Sequence, residues 1–257
     1  MNKYLAPQLV HQVRKIYFLQ KLKRQEIFED EKDLLIVSKL IKPDYIVIDV
    51  GANIGLYTVF ISRLLSDSGR VLSFEPIPET YDILKNNVAN LCRRNTKVFQ
   101  LALYDHSGSI DMVVPKDPDD IENFYLSYIL PNDALCGNDR VLRIQAETLD
   151  SVLSKYRLRT DFIKIDVEGA ELRVFYGARR SIKQHLPHIM CEISRGHERY
   201  GHASQQIFTY LWDHGYRSYI ARNEKLVTCS GGVKGFPNYF FIHSKKVQSI
   251  SAILNIE

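Results

Sequence analysis

The chain has 257 residues and a formal net charge of +4, with 45% hydrophobic and 25% charged residues. These values are ordinary for a globular protein and leave room for one α/β domain plus at most an appendage; the mild positive charge does not indicate nucleic-acid binding. No apolar run approaches the roughly 18 residues of a membrane span. The four widely spaced cysteines lack a Cys-x-x-Cys pair, which predicts reduced thiols and a cytoplasmic location.

Residues 1–42 are predicted to form a helical extension ahead of a main domain at 43–257. No acidic residue precedes Glu26, whereas this stretch carries several cations, namely Lys3, Arg14, Lys15, Lys21, Lys23 and Arg24. A solvated helix face is one interpretation of this cluster. The other is peripheral contact with an anionic surface, either membrane headgroups or a phosphate-bearing substrate.

The next segment, residues 45–48, is a continuous apolar, β-branched run that predicts a strand buried on both faces. Apolar residues at helical spacing begin at Leu56, so the glycines between them lie on a strand-to-helix turn. Gly51 allows a tight turn and a close approach to a ligand, and Gly55 allows the helix to pack against the strand. The N-terminus of that helix offers backbone N–H groups to a polar ligand.

A second apolar run, residues 71–74, ends at Glu75, about twenty residues beyond the glycines. A nucleotide-binding βαβ unit has a carboxylate at this position that accepts hydrogen bonds from ribose hydroxyls. Because a carboxylate would repel a 2′-phosphate, the predicted cofactor has an unphosphorylated ribose. NAD, FAD and S-adenosylmethionine all satisfy this condition.

Strands and helices continue to alternate along the chain, which predicts a doubly wound α/β sheet. Helices are expected at 76–91, 172–185 and 204–214, and strands at 98–103, 110–114, 141–145, 161–166, 187–193, 216–220 and 238–242. The last two strands are predicted to pair antiparallel because no helix separates them. Residues 115–140 lack periodicity but contain an aromatic cluster, and are predicted to form a lid insertion.

Polar side chains end several of these strands, and the carboxyl ends of parallel strands form the ligand-binding edge of such a sheet. The residues concerned are Asp49, Asn53, Glu75, Asp166, Glu168 and Glu192. A buried strand has little reason to end in a carboxylate unless a ligand lies above it. The clustering therefore predicts a binding or catalytic site at this edge.

The chain resembles the FkbM family of S-adenosylmethionine-dependent methyltransferases. The residues that carry the resemblance are 49–55, 74–76, 102–103, 148–150, 163–171 and 238–241. The resemblance covers about residues 45–243 and implies a Rossmann-like, seven-stranded class I methyltransferase fold with its last strand antiparallel. It also implies O-methylation of a hydroxyl on a saccharide, a glycolipid or a natural product.

The resemblance assigns the cofactor-binding residues by position. The methionine end would be held by Asp49, Gly51, Ala52, Asn53 and Gly55, the ribose hydroxyls by Glu75, and the adenine by Ala102 and Leu103. Asp105 would be a partner of the adenine amino group. Tyr104 stands where the family has a residue such as Gly or Ser, which leaves the detail of the adenine pocket open.

Asp166, at a strand end, is the best candidate to contact both cofactor and acceptor, either as a general base or as a metal ligand. Glu192 could join it around a divalent cation, although no metal site is predicted. Glu168 is a further catalytic candidate, and its alternative role is to cap the next helix. His197 is a candidate base or a surface-loop residue. The neighbouring Arg195 and Arg199 would suit an anionic acceptor.

Two alternatives to this function stay open. Methylation of an RNA ribose 2′-hydroxyl uses the same chemistry, but the acidic 115–140 stretch and the small net charge disfavour RNA. An NAD-dependent oxidoreductase or a non-catalytic nucleotide-binding module belongs to a different class. An oxidoreductase would need a proton donor over the nicotinamide, and the sequence does not identify one.

Overall fold

The computed structural model describes residues 7–28, 31–117, 122–130, 139–193 and 204–254. Eight of its strands form one mixed sheet. They are β1 (Ile46–Val50), β2 (Arg70–Phe74), β3 (Thr96–Phe99), β8 (Phe162–Ile165), β9 (His188–Glu192), β10 (Tyr216–Arg222), β11 (Lys225–Thr228) and β12 (Asn238–His243). Their order across the sheet is β11-β10-β12-β9-β8-β1-β2-β3.

The centre of this sheet is parallel and largely buried. β1 pairs with β2 and β8, and β8 pairs with β9, all in parallel, so their carboxyl ends meet at one edge. All four residues of β8 are buried, including Lys164. β12 runs antiparallel to both β9 and β10, as predicted for the last strand.

Helices cover both faces of the sheet. In chain order they are α1 (Pro7–Arg24), α2 (Asp33–Leu40), α3 (Leu56–Leu64), α4 (Pro78–Leu91), α5 (Leu149–Tyr156), α6 (Glu171–Gly177), α7 (Arg179–His185) and α8 (Ser204–Asp213). Residues of α2 and α3 pack in one core cluster and residues of α5 to α8 in another. The predicted doubly wound α/β fold class is therefore confirmed.

A smaller sheet of four strands lies beside the main one, in the order β4-β7-β5-β6. Its strands are β4 (Ala102–Leu103), β5 (Gly108–Val114), β6 (Tyr128–Ile129) and β7 (Arg140–Glu147). The prediction of one strand over 98–103 was wrong. β3 ends at Phe99, and the chain then leaves the main sheet because Ala102 pairs with Ala146 of β7.

Two further elements differ from the prediction. The helix expected over 172–185 is divided at Ala178 into α6 and α7. Gly177 lies so close to the Tyr104 carbonyl that a Cβ atom there would be 1.9 Å from its oxygen, so this turn packs backbone against backbone. β11 was not predicted; it adds an eighth strand to the expected seven by forming a hairpin with β10.

Two family-motif residues between β7 and α7 stabilise helix ends. The Thr148 side chain accepts a hydrogen bond from the Ser151 N–H and so caps α5. Asp150 accepts bonds from the backbone N–H groups of Arg180 and Ser181 at the start of α7. Within the described residues, no helix has the length and apolarity needed to cross a membrane.

Candidate functional site

The turn after β1 brings three strand ends into contact. The N–H groups of Gly51 and Ala52 both donate to the Phe74 carbonyl at the end of β2. Gly51 has a φ of +71°, and a Cβ atom there would be 1.8 Å from the Asp166 carbonyl oxygen. Gly51 is therefore required because the backbone beyond β8 passes directly over it. Gly55, the N-cap of α3, instead makes room for the Leu84 side chain of α4.

Glu75 is held rigidly at the end of β2. Its Oε2 accepts a bond of 2.9 Å from the Asn53 N–H, and its Oε1 accepts one of 3.0 Å from the Ile77 N–H. Burial raises the pKa of Glu75 to about 7, and the two backbone bonds only partly oppose this. The carboxylate thus has a fixed orientation and spare lone pairs, and it takes up a proton near neutral pH.

The Lys164 side chain extends from β8 to the turn at Gly51, which we call the glycine turn, and lies between two carboxylates. Its ammonium donates to Asp166 Oδ2 and to the Gly51 carbonyl, each at 3.2 Å, and lies 3.8 Å from Asp49 Oδ1. Burial by itself would lower the pKa of Lys164, but the charges of Asp166 and Asp49 outweigh it and raise that pKa. Lys164 therefore stays protonated and forms a buried carboxylate–ammonium–carboxylate group.

Asp49 lies beneath this group rather than at the surface of a cleft. It is 0% exposed, and its Oδ2 accepts a bond of 2.6 Å from the Thr58 hydroxyl. Burial raises its pKa, against the lowering effect of Lys164. Any effect of Asp49 on a ligand must therefore pass through Lys164 and the glycine turn.

A first cleft opens above these strand ends. We call the side formed by Asp49, Gly51, Glu75, Lys164 and Asp166 the floor. Gly51, Asn53, Glu75 and Asp166 line this cleft, and so do the predicted adenine-site residues Ala102 and Leu103. Asp105 does not line it, because its two oxygens contact Arg173 at 2.9 Å and His106 at 2.6 Å.

The opposite side of the first cleft comes from the predicted lid. Residues 122–130 of this predicted lid contribute Phe124, Tyr125, Ser127 and Ile129 to the lining. α1 packs on this segment, since Phe18 meets Tyr125 edge to face with ring centroids 5.7 Å apart. The Arg14 guanidinium lies 5.5 Å from the centre of the Phe124 ring. We call α1 and residues 122–130 together the roof.

Part of the basic cluster in α1 is engaged within the molecule. His11 and Lys15 both contact Asp82 of α4, each at 2.8 Å. The predicted contact of this helix with an anionic surface stays a prediction.

The remaining predicted acids lie near Asp166. Burial, and next the charge of Asp166, raise the pKa of Glu192 to about 7. Glu171 is 1% exposed with a pKa also raised to about 7 by burial, and its Oε1 accepts a bond from the Gly169 N–H. Glu168 has a φ of +54° and lines the first cleft. No group of three or more His, Cys, Asp or Glu residues in the described part of the chain is arranged to hold a metal ion.

His197, Arg195 and Arg199 lie outside the described residues. Sequence reasoning missed Lys164 as a site residue, although a lysine within a four-residue apolar strand is itself an unusual pattern. It also missed Phe18, Glu31 and Tyr57, which line a second cleft beside the first. These three come from distant segments, so no local pattern connects them.

Comparison with known proteins places this geometry in context. Residues 49–218, more than half of the chain, match the family described as the methyltransferase FkbM domain. Methyltransferase sdnD of Sordaria araneosa is 28% identical over 200 residues, which cover 67% of this chain and 76% of that protein. The 2-O-methyltransferase NoeI of Sinorhizobium fredii is 28% identical over 155 residues, covering 57% of this chain and 63% of its own.

A solved structure has the same fold. The methyltransferase FkbM from Methylobacillus flagellatus aligns with a TM-score of 0.51 at 16% identity. The alignment covers 79% of this chain but only 44% of that one, so this chain spans less than half of that protein.

Proposed function

The chain belongs to the FkbM family of methyltransferases, and from this premise we propose that it methylates a hydroxyl oxygen with S-adenosyl-L-methionine as the donor. The proposed acceptor is a saccharide, a glycolipid or a natural product. The observation that carries the proposal is the position of Asp166, which lines both the first cleft and the second cleft beside it. One carboxylate can therefore face a donor on one side and an acceptor on the other.

The first cleft suits the proposed donor. Glu75 presents two oriented oxygens that can accept bonds from vicinal ribose hydroxyls. The small, buried Ala102 and the neighbouring Leu103 offer an apolar surface for adenine. Gly51 and Asn53 would border the methionine end, with Ala52 behind them in the second cleft and Gly55 shaping the turn. Asp49 would act from below, through Lys164.

When bound, S-adenosylmethionine supplies a methyl group on a positively charged sulfur. Asp166 would accept a hydrogen bond from the acceptor hydroxyl, align its oxygen and take its proton as the new C–O bond forms and the C–S bond of the donor breaks, with S-adenosylhomocysteine as the leaving group. Lys164 would hold the Asp166 carboxylate in place through its 3.2 Å bond. Glu168, which lines the first cleft, would add negative charge that attracts the cationic donor, and Glu192 would contribute in its ionised form.

Membership in a methyltransferase family argues against the NAD-dependent oxidoreductase. Calorimetry with S-adenosylhomocysteine and with NAD tests this directly. We expect S-adenosylhomocysteine to bind with a micromolar dissociation constant and NAD to give no heat of binding. Tight binding of NAD without a response to S-adenosylhomocysteine would overturn the proposed donor.

The role of Asp166 is tested by Asp166→Asn, which keeps the shape of the side chain but removes the base. We expect turnover to fall by roughly 10²–10⁴-fold while S-adenosylhomocysteine still binds. Asp213→Asn, at an exposed position in α8, serves as the matched control. If Asp166→Asn retains full activity and His197→Ala loses it, His197 is the base instead.

The acceptor is found by a methyl-transfer screen with labelled donor over glycans, lipid-linked sugars and RNA. We expect label in the carbohydrate fractions. Label confined to RNA would replace the proposed acceptor with a ribose 2′-hydroxyl.

A further inference from the structure

A second cleft of about 300 Å³ adjoins the first, and three residues line both, namely Asn53, Tyr125 and Asp166. This volume is at the lower end of the roughly 300–1,000 Å³ range of small-molecule sites. The other lining residues come from α1, the segment before α2, the turn after β1, α3 and β8; they are Phe18, Glu31, Ala52, Ile54, Leu56, Tyr57 and Lys164. The clefts thus meet at the carboxylate that the proposed reaction uses.

The charge on the walls of the second cleft is unevenly distributed. Its two carboxylates, Glu31 and Asp166, face a single cation, Lys164, which already donates to Asp166 and to the Gly51 carbonyl. Beneath Lys164 lies a further carboxylate, that of Asp49. An anionic ligand would therefore meet uncompensated negative charge, whereas hydroxyl groups could donate to the carboxylates.

Glu31 is oriented for such a role. Its Oε2 accepts a bond of 3.3 Å from the Tyr57 hydroxyl, which directs the carboxylate into the cleft. Burial raises the pKa of Glu31; the bond from Tyr57 lowers it, and the nearby charge of Asp33 raises it. The Tyr57 ring is itself fixed, because the Lys164 ammonium lies 5.1 Å from its centre.

The remaining walls are aromatic. Phe18 and Tyr125 lie edge to face, and together with Tyr57 they give the cleft three ring surfaces from three separate segments. Flat apolar surfaces beside a few carboxylates suit a ring that has apolar C–H groups on its faces and hydroxyls on its edge. A long flexible chain would not use this combination.

We propose that the second cleft is the acceptor site and that it selects a hydroxyl-bearing ring and excludes anionic rings. In this site Asp166 receives the reacting hydroxyl, Glu31 binds a second hydroxyl, and Phe18 and Tyr125 pack on the ring. This inference rests on the proposed function, because it takes the first cleft as the site of the methyl donor. It adds that the N-terminal extension, which lies outside the matched family segment, determines which acceptor binds.

Saturation-transfer NMR with two matched pyranosides tests the proposal in the presence of S-adenosylhomocysteine. The probes are methyl α-D-glucopyranoside, which is neutral, and the matching methyl glycoside of glucuronate, which is anionic. We expect clear saturation transfer to the neutral probe and none to glucuronate. Absence of a signal from the neutral probe, or an equal or stronger signal from glucuronate, would overturn the proposed selectivity.

Variants then locate the binding. Leu56→Trp fills the second cleft and should abolish the signal of the neutral probe without changing calorimetric binding of S-adenosylhomocysteine. Glu31→Gln should weaken the neutral probe roughly tenfold and allow glucuronate to bind. Phe18→Ala should also weaken the neutral probe several-fold. An unchanged signal in Leu56→Trp would mean that the probe binds elsewhere.

Matched controls come from the same extension. Glu26→Gln and Ile16→Ala alter residues that do not line the cleft, and both should bind the neutral probe as the parent chain does. Equal losses in a control and its partner variant would assign the effect to the stability of the N-terminal extension and overturn the direct contact. Failure of S-adenosylhomocysteine to bind the parent chain would instead refute the proposed donor, so the two failures are distinguishable.

Discussion

The floor and the roof of the candidate site are built by different means. The floor is made mainly of buried polar groups; Asp49 is 0% exposed, Glu75 and Lys164 are each 5% exposed, and only the Asp166 side chain reaches 31%. Each of these groups is held by hydrogen bonds or ion pairs from a neighbouring strand, the turn after β1 or α3. Removing one partner there leaves another buried group unsatisfied, which costs far more than a lost surface contact.

The roof depends on aromatic edges and on ion pairs at the surface. Phe18 contacts Tyr125, Arg14 contacts Phe124, and Asp82 contacts Lys15 and His11 while 46% of its side chain stays exposed. Such contacts are individually weak and can be remade in another arrangement. The difference indicates that the floor fixes the chemistry, whereas the roof can adapt to different acceptors.

The largest expected effect is at Gly51, where the floor allows no side chain. Gly51→Ala places a Cβ atom 1.8 Å from the Asp166 carbonyl oxygen, so we expect a loss of more than about 4 kcal/mol of unfolding free energy or no folded protein. Gly235→Ala is the matched control, since the φ of Gly235 is also positive but a Cβ atom there would meet nothing within 4 Å. The control should lose only about 1–2 kcal/mol in urea unfolding. Equal losses would mean that backbone strain, not contact with Asp166, explains the glycine.

Removal of the buried cation should have the next largest effect. Lys164→Met leaves Asp49 and Asp166 without their shared ammonium, and we expect a cost of about 3–5 kcal/mol in denaturant unfolding. Adding Asp49→Asn should restore part of this loss because one of the two unpaired charges is then gone. The double-mutant cycle measures the coupling. Strictly additive losses would show that the three groups do not act together.

Glu75 should make donor binding depend on pH. Its pKa is raised to about 7 by burial, so lowering the pH from 8 to 6 protonates the carboxylate that would accept the ribose hydroxyls. A proton and the ligand then compete, and S-adenosylhomocysteine should bind more weakly as the pH falls. Calorimetry across this range should show the decline in the parent chain.

Glu75→Gln separates this effect from that of Glu171 and Glu192, whose pKa values are also raised to about 7. The amide nitrogen cannot accept a bond from the Asn53 or Ile77 N–H, so affinity should be roughly tenfold or more lower at pH 8. Its dependence on pH should largely disappear. A decline as steep as that of the parent chain would assign the titration to another carboxylate.

The same contrast explains what could be predicted from the sequence. Gly51, Glu75 and Asp166 lie at the ends of strands whose order follows from the alternation of strands and helices, so their meeting could be predicted. Lys164 could have been found from its place in an apolar strand. The meeting of Phe18 with Tyr125 could not, because the two are brought together by packing of α1 on α4 and on the insertion. No periodicity or motif encodes that contact.

The smallest expected effect tests how the roof is held. Lys15, with a further contribution from His11, keeps the pKa of Asp82 below its ordinary value, so any stabilisation is present at neutral pH and lost in acid. Because Asp82 is nearly half exposed, Asp82→Asn should cost less than about 1 kcal/mol in urea unfolding. Leu22→Ala, at a 0% exposed position in α1, is the contrasting variant and should cost about 2–5 kcal/mol. If Asp82→Asn costs as much as Leu22→Ala, the ion pairs of the roof contribute as much stability as the buried charges of the floor. The stated difference between the roof and the floor would then be wrong.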